Sequence, residues 1–180
     1  MRIEKTNSIG LVIDIQERLI PQIAEQELLV KNVQILLEGL QILGIPVLIT
    51  EQYPKGLGPT LKEIELHLPQ NSPIEKIAFS CCDEQAFLGA LQRSGKKQVI
   101  ICGIETHVCI LQTVLDLLEC SYLPVVIADC VSSRKIHDKE IALARMRQEG
   151  AVISSYESIL FELTRIAGSD TFKTISKLVK

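Results

Sequence analysis

Two hydrophobic patterns alternate along this chain from end to end. Short runs of Val, Ile and Leu predict strands at Ser8–Ile13, Pro46–Thr50, Glu75–Phe79, Gln98–Cys102, Pro124–Ala128 and Ala151–Ser154. Their near-continuous apolar content is that of strands covered on both faces. Between them the spacing predicts helices over Glu27–Leu43, Asp83–Ser94, Thr106–Cys120, His137–Glu149 and Ser169–Val179. In the first of these, Leu29, Val33, Leu36, Leu37, Leu40 and Leu43 recur at the i, i+3, i+4, i+7 spacing of one buried face. Gly44, Gly95 and Gly150 stand where helices stop and the chain turns into a strand. Strand–helix alternation of this kind implies a parallel sheet with right-handed crossovers and helices on both sides. The expectation is one doubly wound α/β domain spanning residues 1–180, three-layered, with a six-stranded parallel sheet.

That fold class says where to look for chemistry. Open parallel sheets bind ligands beyond the carboxyl ends of their strands, near the point where strand order reverses. The residues expected there are Asp14, Thr50-Glu51-Gln52, Ser80, Gly103 to Cys109, and Asp129. A carboxylate and a cysteine therefore share one sheet edge, with Lys76 in the third strand segment able to point its amine at them.

Composition narrows the function classes. With 19 Lys and Arg against 22 Asp and Glu, the formal charge of the 180 residues is −3. A nucleic-acid-binding domain usually carries a basic excess or patch, so no nucleic-acid partner is expected. Runs such as LVIDI and VIICGI fall far short of the ~18 apolar residues that span a bilayer, so no membrane segment is expected. The opening MRIEKTNSIG puts charge where a secretory leader needs its apolar region, and the expectation is a soluble cytoplasmic protein. Six cysteines, two of them adjacent and none in a C-x-x-C pair, suit buried thiols better than disulfides.

Cys109 is the most informative of the six. With Thr106 as N-cap it falls in the first turn of a helix, where the dipole and unpaired N–H groups favour an anion, so its thiol is expected below its usual ~8.5. A nearby lysine would lower it further. A packed core thiol is the competing account, since free cysteine is commonly buried. Asp14, at the break from LVIDI to polar sequence, suits either an N-cap or a general base.

The segments LVIDIQERL, TEQYPKGLGPT, IEKIAFSC, VIICGIETHVCILQTVLDLL and ADCVSSRKIHDKEIALARMRQEGAVISSYESILFEL resemble the isochorismatase-like cysteine hydrolase superfamily, in the correct order over most of the chain. Within it the chain is similar to the small isochorismatase-domain group. The resemblance implies a six-stranded α/β/α fold, assembled as a dimer or larger homo-oligomer, and an Asp–Lys–Cys triad falling on Asp14, Lys76 and Cys109. It also implies a cis peptide at Ile104–Glu105 and an oxyanion hole made by the backbone N–H groups of Glu105 and Cys109. The activity implied is hydrolysis of a small amide or related C–N bond through a thioester.

Two departures restrict that assignment. Nicotinamidases of the superfamily carry an Asp/His metal set near the second and third strands. Here TEQYPKGLGPTLKEIELHL offers Glu51, Gln52, Glu63, Glu65 and only His67, without a D-x-H motif, so neither metal nor other cofactor is expected. The isochorismatases that cleave a vinyl ether typically lack the nucleophilic cysteine, so that literal reaction is not expected. The Gly56–Gly58 loop has no G-x-G-x-x-G or Walker pattern. Gln16, Tyr53, Phe79, Ser80, Glu105 and His107 are expected to line the pocket for a small-molecule substrate. Arg134 suits a substrate carboxylate or a surface salt bridge. A non-catalytic oligomeric scaffold, and a thiol redox sensor pairing Cys109 with Cys81, Cys102 or Cys130, are the alternatives.

Overall fold

The computed structural model describes residues 2–68 and 72–180. Its six strands are β1 (Ser8–Ile13), β2 (Val47–Gln52), β3 (Ile74–Lys76), β4 (Gln98–Ile104), β5 (Leu123–Ser132) and β6 (Val152–Ser154). They form one all-parallel sheet in the order β3-β2-β1-β4-β5-β6. The helices are α1 (Gln26–Ile42), α2 (Pro54–Leu57), α3 (Lys62–Glu65), α4 (Gln85–Ser94), α5 (Leu111–Glu119), α6 (Ile136–Glu149), α7 (Tyr156–Thr164) and α8 (Asp170–Leu178).

Successive strand residues enter opposite cores. In β1, Ile9, Leu11 and Ile13 face one side and Val12 the other; in β4, Val99 and Ile101 oppose Ile100, Cys102 and Ile104. Because both sides are covered, the two-residue alternation of the pleat turns neither face of the central strands to water, which explains the near-continuous apolar runs. One core is closed by α1, α3, α7 and α8 through Leu29, Leu37, Ile64, Leu160 and Ile175. The other is closed by α4, α5 and α6 through Phe87, Val114, Leu117 and Met146. This is the three-layer α/β/α arrangement read from the sequence.

The differences from that reading have local causes. Strand β3 stops at Lys76 instead of continuing to Phe79, because the Lys76 ammonium takes the carbonyls of Ala78 and Phe79 (3.3 and 3.1 Å) and curls the chain around itself. Strand β5 runs on to Ser132, so Asp129 lies inside it and not beyond its end. There its carbonyl accepts from Asn32 Nδ2 (2.8 Å) and its Oδ1 accepts from the Tyr156 N–H (2.9 Å), fastening α1 and α7 to the sheet. Helix α7 was not foreseen; Ser155 caps it through the Ser158 N–H, and Ile159, Leu160 and Leu163 form its buried face. The helix expected at Thr106 opens with a π-type turn, Thr106–Ile110, before α5 begins. Thr106 is not the cap: Glu105 holds that position, and the buried Thr106 hydroxyl has no hydrogen-bond partner among the described residues.

Candidate active site

Strand order reverses between β1 and β4, and the chain leaving each of these strands meets the other there. Gly103 of β4 pairs with Ile13 of β1, at a φ of +132°. A Cβ on Gly103 would lie 2.1 Å from the Ile13 carbonyl oxygen, so only glycine permits the approach. It brings the loop after β4 against Asp14, the residue following Ile13. Asp14 itself adopts a left-handed conformation (φ 54°), a region that Asp tolerates better than most residues. The Ile104–Glu105 peptide just beyond Gly103 is cis.

Asp14 Oδ1 accepts a hydrogen bond from Thr50 Oγ1 at 2.8 Å, and Asp14 Oδ2 lies 2.6 Å from Lys76 Nζ. Neither side chain of that ion pair is exposed. Lys76 reaches across β2 from the sheet edge, and its ammonium also donates to Gln52 Oε1 at 2.6 Å. Burial pulls the Lys76 pKa down, but the negative charge of Asp14, with smaller help from Cys109, Cys81 and the hydrogen bond to Asp14, outweighs it and raises the group above its ordinary 10.5. Lys76 is therefore a charged ammonium.

Cys109 stands in the π-type turn, 7% exposed, with its Sγ 4.0 Å from Gln52 Oε1. Its pKa is raised, against the expectation of a depressed one. Burial is the largest cause, followed by the charge of Asp14; Lys76 opposes both, while the closeness of Asp14 and Cys81 adds to the rise. The field at a helix start is worth little against desolvation of this size. At rest the site holds a neutral thiol that donates to Gln52 Oε1, beside a carboxylate paired with an ammonium.

The other expected pocket residues divide. Gln16 is fully buried and exchanges hydrogen bonds with the backbone of Gln52 (3.0 and 2.8 Å) while donating to the Gly58 carbonyl (2.7 Å). It braces the end of β2 and has no polar group left for a ligand. Ser80 donates to Asp116 and caps the following turn through the Cys82 N–H, which also makes it structural. His107 Nδ1 meets Ser133 Oγ at 2.9 Å and its Nε2 lies 4.0 Å from Asp138 Oδ2, directing the ring toward α6 and away from Lys76. Tyr53 and Phe79 are half-exposed. Tyr53, Pro54, Glu75, Lys76, Ile77 and Glu84 line most of a cleft of about 330 Å³ at the ends of β2 and β3, whose lining does not include Cys109. Glu105 turns its carboxylate to Arg134, whose backbone N–H and Nε both donate to Oε2.

Gln52 is the residue that sequence reasoning left without a role. Its register partner in the sheet is Lys76, so the position was readable from the strand pairing, but nothing in the sequence tells a glutamine that holds an ammonium from one on the surface. Glu51 is engaged by the N–H and hydroxyl of Thr60 (2.7 and 2.8 Å), and Glu65 by Lys62 (3.0 Å). Among the described residues no group of three or more His, Cys, Asp or Glu side chains is placed to hold a metal ion. Nor is any helix among them long and apolar enough to cross a membrane.

A doubly wound α/β/α domain with a buried carboxylate, ammonium and thiol at its switch point defines a class of small hydrolase-like proteins. The family follows from comparison: the Isochorismatase domain profile matches residues 8–158, and the chain belongs to the isochorismatase family of hydrolases. Isochorismatase domain-containing protein 2A of Mus musculus is 41% identical, the match covering 99% of this chain and 85% of that protein. The MAR1 ribonuclease structure from Caenorhabditis elegans superimposes with a TM-score of 0.93 at 36% identity, over 99% of this chain and 92% of that one. YcaC from Pseudomonas aeruginosa, solved with hexane-2,5-diol and covalent acrylamide, has a TM-score of 0.92 at 26% identity, over 98% and 91% of the two chains.

Proposed function

We propose that the protein is a cysteine hydrolase that cleaves a small amide or related C–N bond without a metal, using Asp14, Lys76 and Cys109. The observation that carries this reading is the convergence of the three groups in one buried site: an ion pair of 2.6 Å, with the thiol close enough to feel both charges and hydrogen-bonded to Gln52, which also holds the ammonium. Asp14 takes the thiol proton as sulfur attacks the carbonyl carbon, so a thiolate never has to persist in the buried site. The tetrahedral oxyanion is received by the backbone N–H groups of Glu105 and Cys109. Asp14 returns its proton to the leaving nitrogen, and the C–N bond breaks to give ammonia or an amine and a thioester on Cys109. Water, deprotonated by Asp14, then attacks the thioester, releasing a carboxylic acid and restoring the thiol. Lys76 holds its ammonium against Asp14 and keeps the carboxylate in place through each half-reaction. The glutamate and glutamine near β2 that could have served a metal are engaged by Thr60 and Lys76.

The covalent acrylamide carried by the Pseudomonas aeruginosa relative, itself a small primary amide, supports a nucleophile in this fold that meets ligands of that size. The name of the Caenorhabditis elegans neighbour offers ribonuclease as a second reading. The excess of acidic over basic side chains here is the sign that a phosphate backbone repels, which favours the small amide. The half-exposed Tyr53 and Phe79 and the more exposed Ile77 support assembly of two or more copies, which sedimentation of the purified protein tests.

The decisive experiment is a panel of small primary amides assayed for ammonia, with intact mass read in parallel. The native protein is expected to release ammonia and to show an acyl adduct on Cys109, and Cys109→Ala to do neither. Asp14→Asn is expected to lose turnover while its Cys109 labels faster with iodoacetamide, because the carboxylate charge that raises the thiol pKa is gone. Ammonia release that survives Cys109→Ala overturns the mechanism.

A further inference from the structure

We propose that Arg134 is a positioning residue: it grips Glu105 so that the backbone N–H of that residue stands correctly beside Cys109 for attack on a carbonyl. The inference rests on the hydrolase reading above and adds a residue to it.

Three consecutive residues at the end of β5 are each tied down. Ser132 Oγ donates to the Ala24 carbonyl (2.8 Å), and the Ala24 N–H donates in return to the Ser133 carbonyl (3.0 Å). Both serines are buried, so this stretch is anchored to the segment that enters α1. From that anchor two contacts reach the nucleophile loop. Ser133 Oγ meets His107 Nδ1 at 2.9 Å, and Arg134 donates twice to Glu105 Oε2, from its backbone N–H at 3.1 Å and its Nε at 3.0 Å. The loop is thus held at residues 105 and 107, four and two positions ahead of the nucleophile.

Glu105 is fixed from its other side as well. Its carbonyl accepts from the Val108 N–H (3.1 Å) and the Ile110 N–H (3.3 Å). With carbonyl and carboxylate both engaged, the orientation of the intervening backbone is set. The Glu105 carboxylate is only 12% exposed, whereas the Arg134 side chain is 57% exposed. An ion pair that open to water adds little to stability. The geometry points instead to placement, because a donor aimed at a developing oxyanion acts only within a narrow range of position.

Two reagents separate placement from general integrity. Acylation of Cys109 by p-nitrophenyl acetate passes through a tetrahedral oxyanion: a C–S bond forms, p-nitrophenolate leaves, and the thiol proton goes to Asp14. Alkylation by iodoacetamide displaces iodide from carbon and forms no oxyanion. Arg134→Ala is expected to slow acylation by about tenfold, less than the ~10²–10³ lost when a donor is removed outright, while alkylation keeps its native rate. Arg134→Lys, which retains charge but not the Nε position, is expected to fall between. Acylation at the native rate in Arg134→Ala overturns the proposal, as does a parallel change in both reactions in both variants, which reports a loosened loop. A native protein that is alkylated but never acylated at Cys109 overturns the hydrolase reading, and this proposal with it.

Discussion

The Lys76 ammonium and the Asp14 carboxylate meet at 2.6 Å with neither side chain exposed to solvent, although one comes from the sheet edge and the other from its centre. The intervening strand supplies one further partner to each, Thr50 to the carboxylate and Gln52 to the ammonium, and the carbonyls of Ala78 and Phe79 also accept from Lys76. Lys76→Met leaves a buried carboxylate without its counter-charge and is expected to lower stability by about 3–5 kcal/mol, read by urea unfolding at pH 7. Adding Asp14→Asn to that variant removes the stranded charge and is expected to recover part of the loss. A single-variant loss under about 1 kcal/mol would mean that the pair is hydrated like a surface one.

The cysteines give stability a pH dependence. Burial first, with neighbouring negative charges where present, pushes Cys81 up to about 11 and Cys82 and Cys102 to about 12; Cys109 and Cys130 are raised as well. In the unfolded chain these thiols titrate near their ordinary ~8.5. Below that pH both states are protonated and the thiols have no net effect. Above it the unfolded chain releases protons that the folded one retains, so stability falls by up to about 1.4 kcal/mol per pH unit per thiol. Lys76, raised from 10.5, adds its own loss above that value. The urea midpoint is expected to be level from pH 7 to about 8.5 and to fall beyond. Cys102→Ala should blunt the slope; a midpoint that rises with pH would refute this account.

What the sequence made legible follows from how each feature is encoded. The sheet, the two covering layers and the edge where Asp14, Lys76 and Cys109 gather rest on periodicity and topology, which a continuous apolar run or an i, i+3, i+4 stripe records directly. The thiol pKa was misjudged because it depends on desolvation and on the sum of two opposite charges at contact distance, and no spacing in the chain carries those magnitudes. The intramolecular partners of Gln16 and Ser80 were out of reach for a related reason. A polar residue at the carboxyl edge is equally suited to a ligand and to a neighbouring backbone, and only the fold decides. Helix α7 was within reach, since Ser155 is a good cap and residues 159, 160 and 163 share a face; its brevity made the apolar cluster ambiguous.

Gln52 offers a test of whether the ammonium needs its neutral partner. Gln52→Leu keeps the bulk but withdraws Oε1 from Lys76 and Nε2 from the Ile77 carbonyl, which it meets at 2.6 Å. A loss of about 1–3 kcal/mol in urea is expected, as for other buried groups left unsatisfied. Acylation of Cys109 should slow as well, since Lys76 is then free to shift from Asp14. Unchanged acylation with lowered stability would confine Gln52 to a structural role.

Gly103 joins the two halves of the site, and its replacement can be calibrated against a glycine that does not. Gly44, at a φ of +67°, has open space where a Cβ would be, so Gly44→Ala meets only the left-handed backbone penalty of about 1–2 kcal/mol. Gly103→Ala meets a larger backbone penalty, since φ +132° lies outside the left-handed helical region and is essentially restricted to glycine, and a collision as well, its Cβ lying 2.1 Å from the Ile13 carbonyl oxygen and 2.7 Å from the Ile13 nitrogen. Those are backbone atoms of the central strand, which cannot yield without breaking the β1–β4 pairing that sets Asp14 beside the loop carrying Cys109. Gly103→Ala is therefore expected to lose at least about 3 kcal/mol and to separate Cys109 from Asp14. The separation is read by iodoacetamide, whose reaction with Cys109 should quicken once the carboxylate no longer raises the thiol pKa. If the two glycine variants lost equal stability and Cys109 labelled at the native rate in both, the close approach at Ile13 would not be what assembles the site.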